Sequence, residues 1–371
     1  MPIHLHIGTH KTGTTAIQRH LRRHRESLKR QGIWYPSEAE LLPGGSDRIP
    51  HRNIVRSLDN TRGPKPYSRN DLEVMVSTIL SHSHHYDHTI LSSEAFWRIG
   101  FAAAPDPYTT EELWLRKQSN VAKIRQLFGD ADVRITAVLR ERSTYIQSYY
   151  SEFILATLYT KNIKIFLRNY NYLWDYGRQL QIWANLFPVE AHSYEQLSQH
   201  NQLPLAFLRR LCGSHLCADS PTPDPRARVN ISEPLACVAF KRFLNQLPLD
   251  YHKRKKLHHK YRRIFKQSVR QAEPKGIAQQ LNAVNSWLEP GELRSLRRAL
   301  APGDDAIRAN LCPGLVSAPS HWWCGLQSGH SQIRPMTNGS QRRMIDWMLS
   351  RKPLKQSWFQ RKTTLPAAVE P

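Results

Sequence analysis

Apolar positions along the first half of the chain alternate between strand and helix periods. Residues 3 to 7 set Ile3, Leu5 and Ile7 between His4 and His6, and the next eight residues carry two glycines before a mixed polar and apolar run begins. Strand, loop and helix follow from that order. The helix is predicted over 14–31, with Ile17, Leu21 and Leu28 on one face and Gly32 as its stop. Residues 33–36 read as a short edge strand or turn. Residues 36–70, rich in Pro, Gly, Ser and Arg, read as a long loop of the kind that covers active sites or is disordered. Helices are predicted at 71–81, 111–128 and 143–158. Strands are predicted at 89–92, running out into Ser93 and Glu94, and at 133–139, ending at Arg140. This β-α-β-α-β-α order implies an α/β fold with a central parallel sheet and flanking helices. Ligands on such sheets bind at the carboxyl ends of the strands.

Beyond this core, 170–187 reads as helix and 190–194 as a further strand leading into Glu195-Gln196-Leu197. Prolines at 221, 223 and 225 mark a loop, and 235–247 and 251–271 are helix candidates. From 241 to 270 there are eleven Lys or Arg against one acid, Asp250. Such a run is either a solvated helix face or an anion-binding surface. After about residue 325 the chain turns polar and resembles a flexible basic tail. The organisation expected is one domain over 1–325, with a lid at 36–70 and a helical, basic elaboration over 220–325, followed by the tail at 326–371.

Composition adds a charge argument. With 53 Lys plus Arg against 30 Asp plus Glu, the 371-residue chain carries a formal charge of +23 and should attract anions. Nucleic acid is the generic partner of such a charge, but no zinc-finger spacing, RNP signature or heptad repeat makes it specific. Five cysteines without C-x-x-C spacing suggest free thiols in a reducing compartment. Neither a leader segment nor a run of about 18 apolar residues is visible, so a soluble, cytoplasmic protein without a membrane span is expected. The oligomeric state is left open.

Chemistry enters at Gly8-Thr9-His10-Lys11-Thr12-Gly13-Thr14-Thr15. The stretch fits G-x-x-x-x-G-K-[ST] at both glycines and at Thr15, but Thr14 stands where the lysine belongs and the lysine has moved to Lys11. A tight glycine loop opening a helix makes an anion nest reinforced by the helix dipole. A nucleoside-triphosphate enzyme would add a magnesium-binding acid at a neighbouring strand end. The two candidate ends read Ser92-Ser93-Glu94, which could hold a metal, and Arg140-Glu141-Arg142, which suits an anion.

The His10-to-Thr15 loop after an N-terminal strand resembles the 5′-phosphosulfate-binding loop of sulfotransferases that use 3′-phosphoadenosine 5′-phosphosulfate, PAPS. The segment Val138-Leu139-Arg140-Glu141-Arg142-Ser143, with Ser148 eight residues after Arg140 and then Tyr149-Tyr150, is similar to the 3′-phosphate-binding segment of that family. Weaker echoes run to about residue 250. Residues 89–96 resemble the second core strand of bacterial carbohydrate-type sulfotransferases, 183–197 their W…F…YE-x-L segment, and 229–232 a late loop near the nucleotide. No R-K-G-x-x-G segment is present.

The resemblance implies a P-loop-like sulfotransferase fold. It further implies transfer of a sulfonate from PAPS to a hydroxyl or amine of a carbohydrate or glycoconjugate, with 3′-phosphoadenosine 5′-phosphate as product and no metal required. Lys11 would stabilise the leaving phosphate, with Thr12, Gly13, Thr14 and Thr15 as the cradle, and Arg140 and Ser148 would hold the 3′-phosphate. Arg228 and Asn230 are late-loop candidates, and Arg142 and Tyr149 lesser ones. For the general base, Glu94 stands first, unless it merely pairs with a loop arginine such as Arg98. His51 in the lid segment comes second, against the alternative of an exposed surface histidine. His10 either contacts the sulfonate or fills space. The His84-His85 and His258-His259 pairs read as surface histidines, and Trp322-Trp323 as a packing anchor or, alternatively, a sugar-stacking platform. A P-loop kinase and a non-enzymatic polyanion or nucleic-acid binder are the rival readings.

Overall fold

The computed structural model describes residues 1–59, 65–101, 109–199, 202–213, 233–271, 276–311 and 333–350. Strands β1 (Ile3–His6), β2 (Ile33–Trp34), β3 (His88–Ser92), β4 (Val133–Leu139) and β5 (Val189–Ser193) form one sheet in the order β2-β3-β1-β4-β5. Every pairing is parallel, and Leu5 lies between Leu91 of β3 and Ile135 of β4. The fold is thus α/β with a central five-stranded parallel sheet.

Helices fill the connections. Between β1 and β2 run α1 (Thr14–Arg23) and α2 (Arg25–Arg30). Between β2 and β3 come α3 (Glu38–Leu41), α4 (His51–Leu58) and α5 (Arg69–Ser83), and α6 (Thr110–Phe128) joins β3 to β4. Then α7 (Arg142–Ala156), α8 (Ile163–Asn169) and α9 (Tyr176–Ala184) precede β5, and α10 (Tyr194–Leu197) and α11 (Leu203–Cys212) follow it. The chain leaves β1 toward the β2 edge, returns through β3, and crosses to the other side of β1 as β4. The crevice at the carboxyl ends of β1 and β4 is therefore the topological switch point, where α/β sheets take ligands.

Two expectations give way here. The helix predicted over 14–31 breaks at His24 (φ −108°, ψ 17°), because His24-Arg25-Glu26 offers no apolar side chain to hold that turn on the core. Ile17, Leu21 and Leu28 nevertheless share one buried cluster with Ile90, Val138 and Phe207. The 36–70 stretch is not one long loop. Ser37 and Glu40 form a reciprocal cap on α3, α4 buries Ile54 and Val55, and Ser68 and Asp71 cap α5 in the same way.

Strand β1 buries all four of its residues, histidines included, as a parallel strand covered on both faces does. His6 Nδ1 meets Ser92 Oγ at 2.8 Å, and His4 Nε2 meets His88 Nδ1 at 3.0 Å. Burial pushes both imidazoles down to about 3, so they are neutral.

The chain divides into two compact units, and the sheet belongs to the first, made of residues 1–149, 164–231 and 295–330. The second comprises 150–163, 232–294 and 331–371. It contains α12 (Leu235–Gln246), α13 (Tyr251–Gln271), α14 (Ile277–Asn282) and α16 (Asn338–Ser350), while α15 (Pro290–Leu311) starts in it. In this unit Asn245 Nδ2 donates to the carbonyls of Ile154, Thr157 and Tyr159. Residues 338–350, within the segment read as a tail, are helical, and α16 buries Met344 and sets Trp347 edge-on to Phe265 at 5.7 Å. Among the described residues no helix is long and apolar enough to cross a membrane.

Candidate functional site

The glycine loop is stitched to β4 where it leaves β1. Ile7 N–H donates to the Thr136 carbonyl at 2.9 Å and Thr9 N–H to the Val138 carbonyl at 3.0 Å, while the Thr12 hydroxyl donates back to the Thr9 carbonyl at 2.5 Å. Gly8 is required by contact, since a Cβ there would stand 2.8 Å from His6 Nε2 and 3.3 Å from the Val138 carbonyl oxygen. Gly13 is required twice, by its φ of +69° and by a would-be Cβ 2.1 Å from Leu203 Cδ2. Lacking a side chain, Gly13 cannot cap α1, and no acid occupies that helix's first turn. The first-turn amides therefore face the loop with the positive end of the helix dipole behind them. Lys11 stands at the loop's tip with φ +66°, half-buried, and Thr12 and Thr14 are buried beneath it. Thr15, half-buried, follows in the first turn.

Across the crevice, β4 ends at Arg140. Its Nη1 donates to the Lys11 carbonyl at 3.2 Å and its Nε to Thr144 Oγ1 at 3.2 Å, with the guanidinium 5.6 Å from the Tyr194 ring centroid. The buried Tyr176 hydroxyl donates to the Arg140 carbonyl at 3.1 Å and so fixes the strand end. Thr144 and the half-buried Ser148 lie one turn apart on the same face of α7, in line with Arg140. Glu141 is spent as a helix cap: its carboxylate accepts Ser143 N–H at 2.9 Å, Thr144 N–H at 2.8 Å and the Ser143 hydroxyl at 2.7 Å. Glu195, whose burial pushes its carboxyl up, accepts Glu141 N–H at 3.1 Å.

The turn after β3 supplies the third side. Glu94 accepts from Gln18 Nε2 at 3.2 Å, and Arg98 Nη1 lies 3.3 Å from His10 Nε2. Glu94 and Arg98 are thus engaged with different partners and do not form the ion pair considered above. His10 stacks on Tyr149 with ring centroids 5.8 Å apart, and the Arg98 guanidinium lies 5.6 Å from the same ring. Loop, β3 turn and α7 are joined through these three residues.

His51 is elsewhere. It is 1% exposed at the start of α4, its Nδ1 accepts Ser92 N–H at 3.1 Å, and its ring meets Tyr35 edge-on at 4.9 Å. Burial pushes its pKa down to about 3. With its ring buried and Nδ1 occupied, it braces the end of β3, neither a lid histidine nor a surface one. Arg228, Asn230 and Trp322-Trp323 lie outside the described residues. Among the described residues no group of three or more His, Cys, Asp or Glu is placed to hold a metal ion.

Sequence reasoning passed over Thr144, Arg98, Gln18 and Tyr176. Thr144 had a signal, because 140, 144 and 148 step by one helical turn. Arg98 was weighed only as a partner of Glu94, and its proximity to His10 requires the β1–β3 pairing. Nothing local marks Tyr176, which reaches Arg140 from 36 residues further along the chain.

Fold and site together define a parallel α/β protein with a glycine loop opening a helix at its switch point and arginines on two sides. No family of known proteins and no curated protein matches the chain. Among solved structures it is similar to the crystal structure of a sulfotransferase from Alicyclobacillus acidocaldarius. The TM-score is 0.38 and the identity 14%, over 70% of this chain and 96% of that one. So distant a likeness carries no chemistry, which rests on the residues described above.

Proposed function

We propose that the protein is a sulfotransferase that moves a sulfonate from PAPS to a hydroxyl or amine of a carbohydrate or glycoconjugate. The observation that carries this reading is the hydrogen bond from Arg140 to the Lys11 carbonyl. It brings the strand end that carries Arg140 onto the glycine loop, so that the two motifs proposed to bind anions meet at one place in the fold. Such a donor fits the residues present, since an uncapped helix start meets a loop that has no room for a Cβ at Gly8 or Gly13.

In this reading Lys11, the first-turn amides of α1 and Thr12 to Thr15 receive the phosphosulfate end, and Arg140, Thr144 and Ser148 receive the 3′-phosphate. When bound, PAPS supplies an activated sulfonate and a phosphate leaving group. The Lys11 ammonium and the loop amides stabilise the charge that develops there, each pre-aimed donor contributing about 3 kcal/mol. Glu94, oriented by Gln18, takes the proton of the acceptor. His10, held between Arg98 and Tyr149, shapes the side of the loop facing the acceptor.

Calorimetric titration with 3′-phosphoadenosine 5′-phosphate tests the site. Wild type should bind it, and Lys11→Ala and Arg140→Ala should each weaken it at least about tenfold, the loss of one charge-assisted hydrogen bond. Unchanged affinity in both variants, or binding of magnesium ATP in preference, would overturn the assignment. Transfer of label from PAPS to a panel of glycans then tests the acceptor class.

A further inference from the structure

Helix α13 carries nine Lys or Arg and no acid in its 21 residues. Arg254, His258, Tyr261 and Phe265 form its buried side. Lys256, Lys260, Arg263, Gln267 and Arg270 succeed one another at intervals of four, three, four and three residues, which makes a single stripe along the helix. At the α-helical rise the stripe is about 21 Å long. A cavity of about 1000 Å³ lies against it, and its described lining, all from α13, also includes His259, Arg262, Lys266 and Gln271. The neighbouring Arg262 and Lys266 are held by Glu233 at 2.7 and 3.8 Å. The four cations of the stripe itself have no carboxylate within 4.0 Å among the described residues. Like charges at such spacing repel by about 0.2–0.5 kcal/mol per pair, so the stripe carries a cost that a bound polyanion would reverse.

The chemistry of the lining selects among polyanions. No aromatic side chain lines the cavity among the described residues, and single-stranded nucleic acid is gripped by stacking its bases on such rings. Among the described residues no apolar side chain lines it either, and a membrane-surface helix needs an apolar face to bury. What the described lining offers is a row of cations interleaved with the neutral Gln267 and Gln271 and with His259, along one face of a helix. That pattern matches a chain whose anionic groups alternate with hydroxyls. We propose that the stripe from Lys256 to Arg270 binds a linear acidic polysaccharide, its carboxylate or sulfate groups on Lys256, Lys260, Arg263 and Arg270 and its hydroxyls on the neutral donors. Identifying this polymer as the acceptor rests on the sulfotransferase reading; the binding itself does not.

The test uses the full chain and four probes: a size-fractionated heparin oligosaccharide, neutral dextran, a single-stranded oligonucleotide matched to the heparin in charge, and phosphatidylserine vesicles. Heparin should bind tightest, with log Kd rising against log salt at a slope of roughly three for about four neutralised charges. The combined variant K256Q/K260Q/R263Q/R270Q should weaken heparin binding at least tenfold, flatten that slope, and leave the affinity for 3′-phosphoadenosine 5′-phosphate unchanged. The charge-conserving K256R/K260R/R263K/R270K variant should retain heparin binding. Heparin affinity unmoved by the glutamine variant, or lost in the charge-conserving one, overturns the proposal. So does tighter binding of oligonucleotide, vesicles or dextran. Because the nucleotide titration is read separately, a failure of this surface and a failure of the phosphate loop are distinguishable.

Discussion

Lys11 is the one non-glycine residue with a left-handed backbone among the described residues, at φ +66°. A Cβ in that conformation costs about 1–2 kcal/mol, because it crowds the following carbonyl. The cost is held in place by Arg140, whose Nη1 grips the Lys11 carbonyl at 3.2 Å. Two substitutions separate backbone from side chain. Lys11→Ala removes the ammonium and keeps the strain, whereas Lys11→Gly removes both. Glycine also loosens the unfolded chain, which offsets about 0.4–1 kcal/mol of the relief. The glycine variant should therefore be the more stable of the two by about 1 kcal/mol, close to 2 °C in Tm for a protein of this size. In the proposed reading both variants lose the same charge at the leaving phosphate, so both should lose turnover by about a hundredfold, the size of one pre-aimed donor. Urea unfolding read by tryptophan fluorescence, alongside transfer of label from PAPS, measures the two effects separately. An alanine variant as stable as the glycine variant refutes the left-handed tip. A glycine variant that keeps its turnover refutes the role of the ammonium.

Three further outcomes follow from the same geometry. Arg140→Lys should bind 3′-phosphoadenosine 5′-phosphate nearly as poorly as Arg140→Ala, because an ammonium cannot hold both the Lys11 carbonyl and Thr144 Oγ1 as the guanidinium fork does; calorimetry decides it. Glu94→Gln should lower kcat by roughly a hundred- to a thousandfold with nucleotide affinity unchanged, and an equal loss of both in steady-state and binding measurements would return Glu94 to a structural role. Lys117, buried with its Nζ on the Trp97 carbonyl at 2.8 Å, is pushed down to about 7 by burial. The folded state then binds fewer protons than the unfolded state between about pH 7 and 10. Stability should rise with pH across that window, by at most about 1.4 kcal/mol per pH unit from this group. Lys117→Met should flatten the rise in urea unfolding between pH 7 and 9.5, and an identical slope in the two proteins would contradict the buried cation.

Legibility in the sequence followed the range of the forces involved. The strand at 133–139 and the helix at 251–271 were readable to the residue, because a run of β-branched residues and a two-sided helical pattern are local signals. The break at His24 was not, since only the absence of core contacts for residues 24–26 decides it. His51 shows the same limit at the site. Pro50-His51-Arg52-Asn53 reads as polar loop, and nothing in it announces that Ser92, 41 residues on, will donate its amide to that imidazole.

The candidate site divides along the same line, and the division bears on what the site is for. The parts proposed to bind anions are local in origin, because amides at a helix start and an arginine at a strand end need only their own element to point the right way. Gly13 was readable as a loop glycine, yet one of the two reasons for it lies in Leu203 of α11, 190 positions away, whose Cδ2 occupies the space of a Cβ. The parts that reach between elements were the ones missed: Arg98 to His10, Tyr176 to the Arg140 carbonyl, and Gln18 to Glu94. They do not bind the donor in the proposed reading. They hold the β3 turn, the loop and the end of β4 at fixed separations, and in-line transfer depends on those separations, since small misplacements of reacting groups cost large factors in rate. In the proposed reading the local motifs supply the charge that meets the donor, and the tertiary contacts determine whether donor and acceptor meet in line. Substitution at Arg98, Tyr176 or Gln18 should accordingly appear in kcat before it appears in nucleotide affinity.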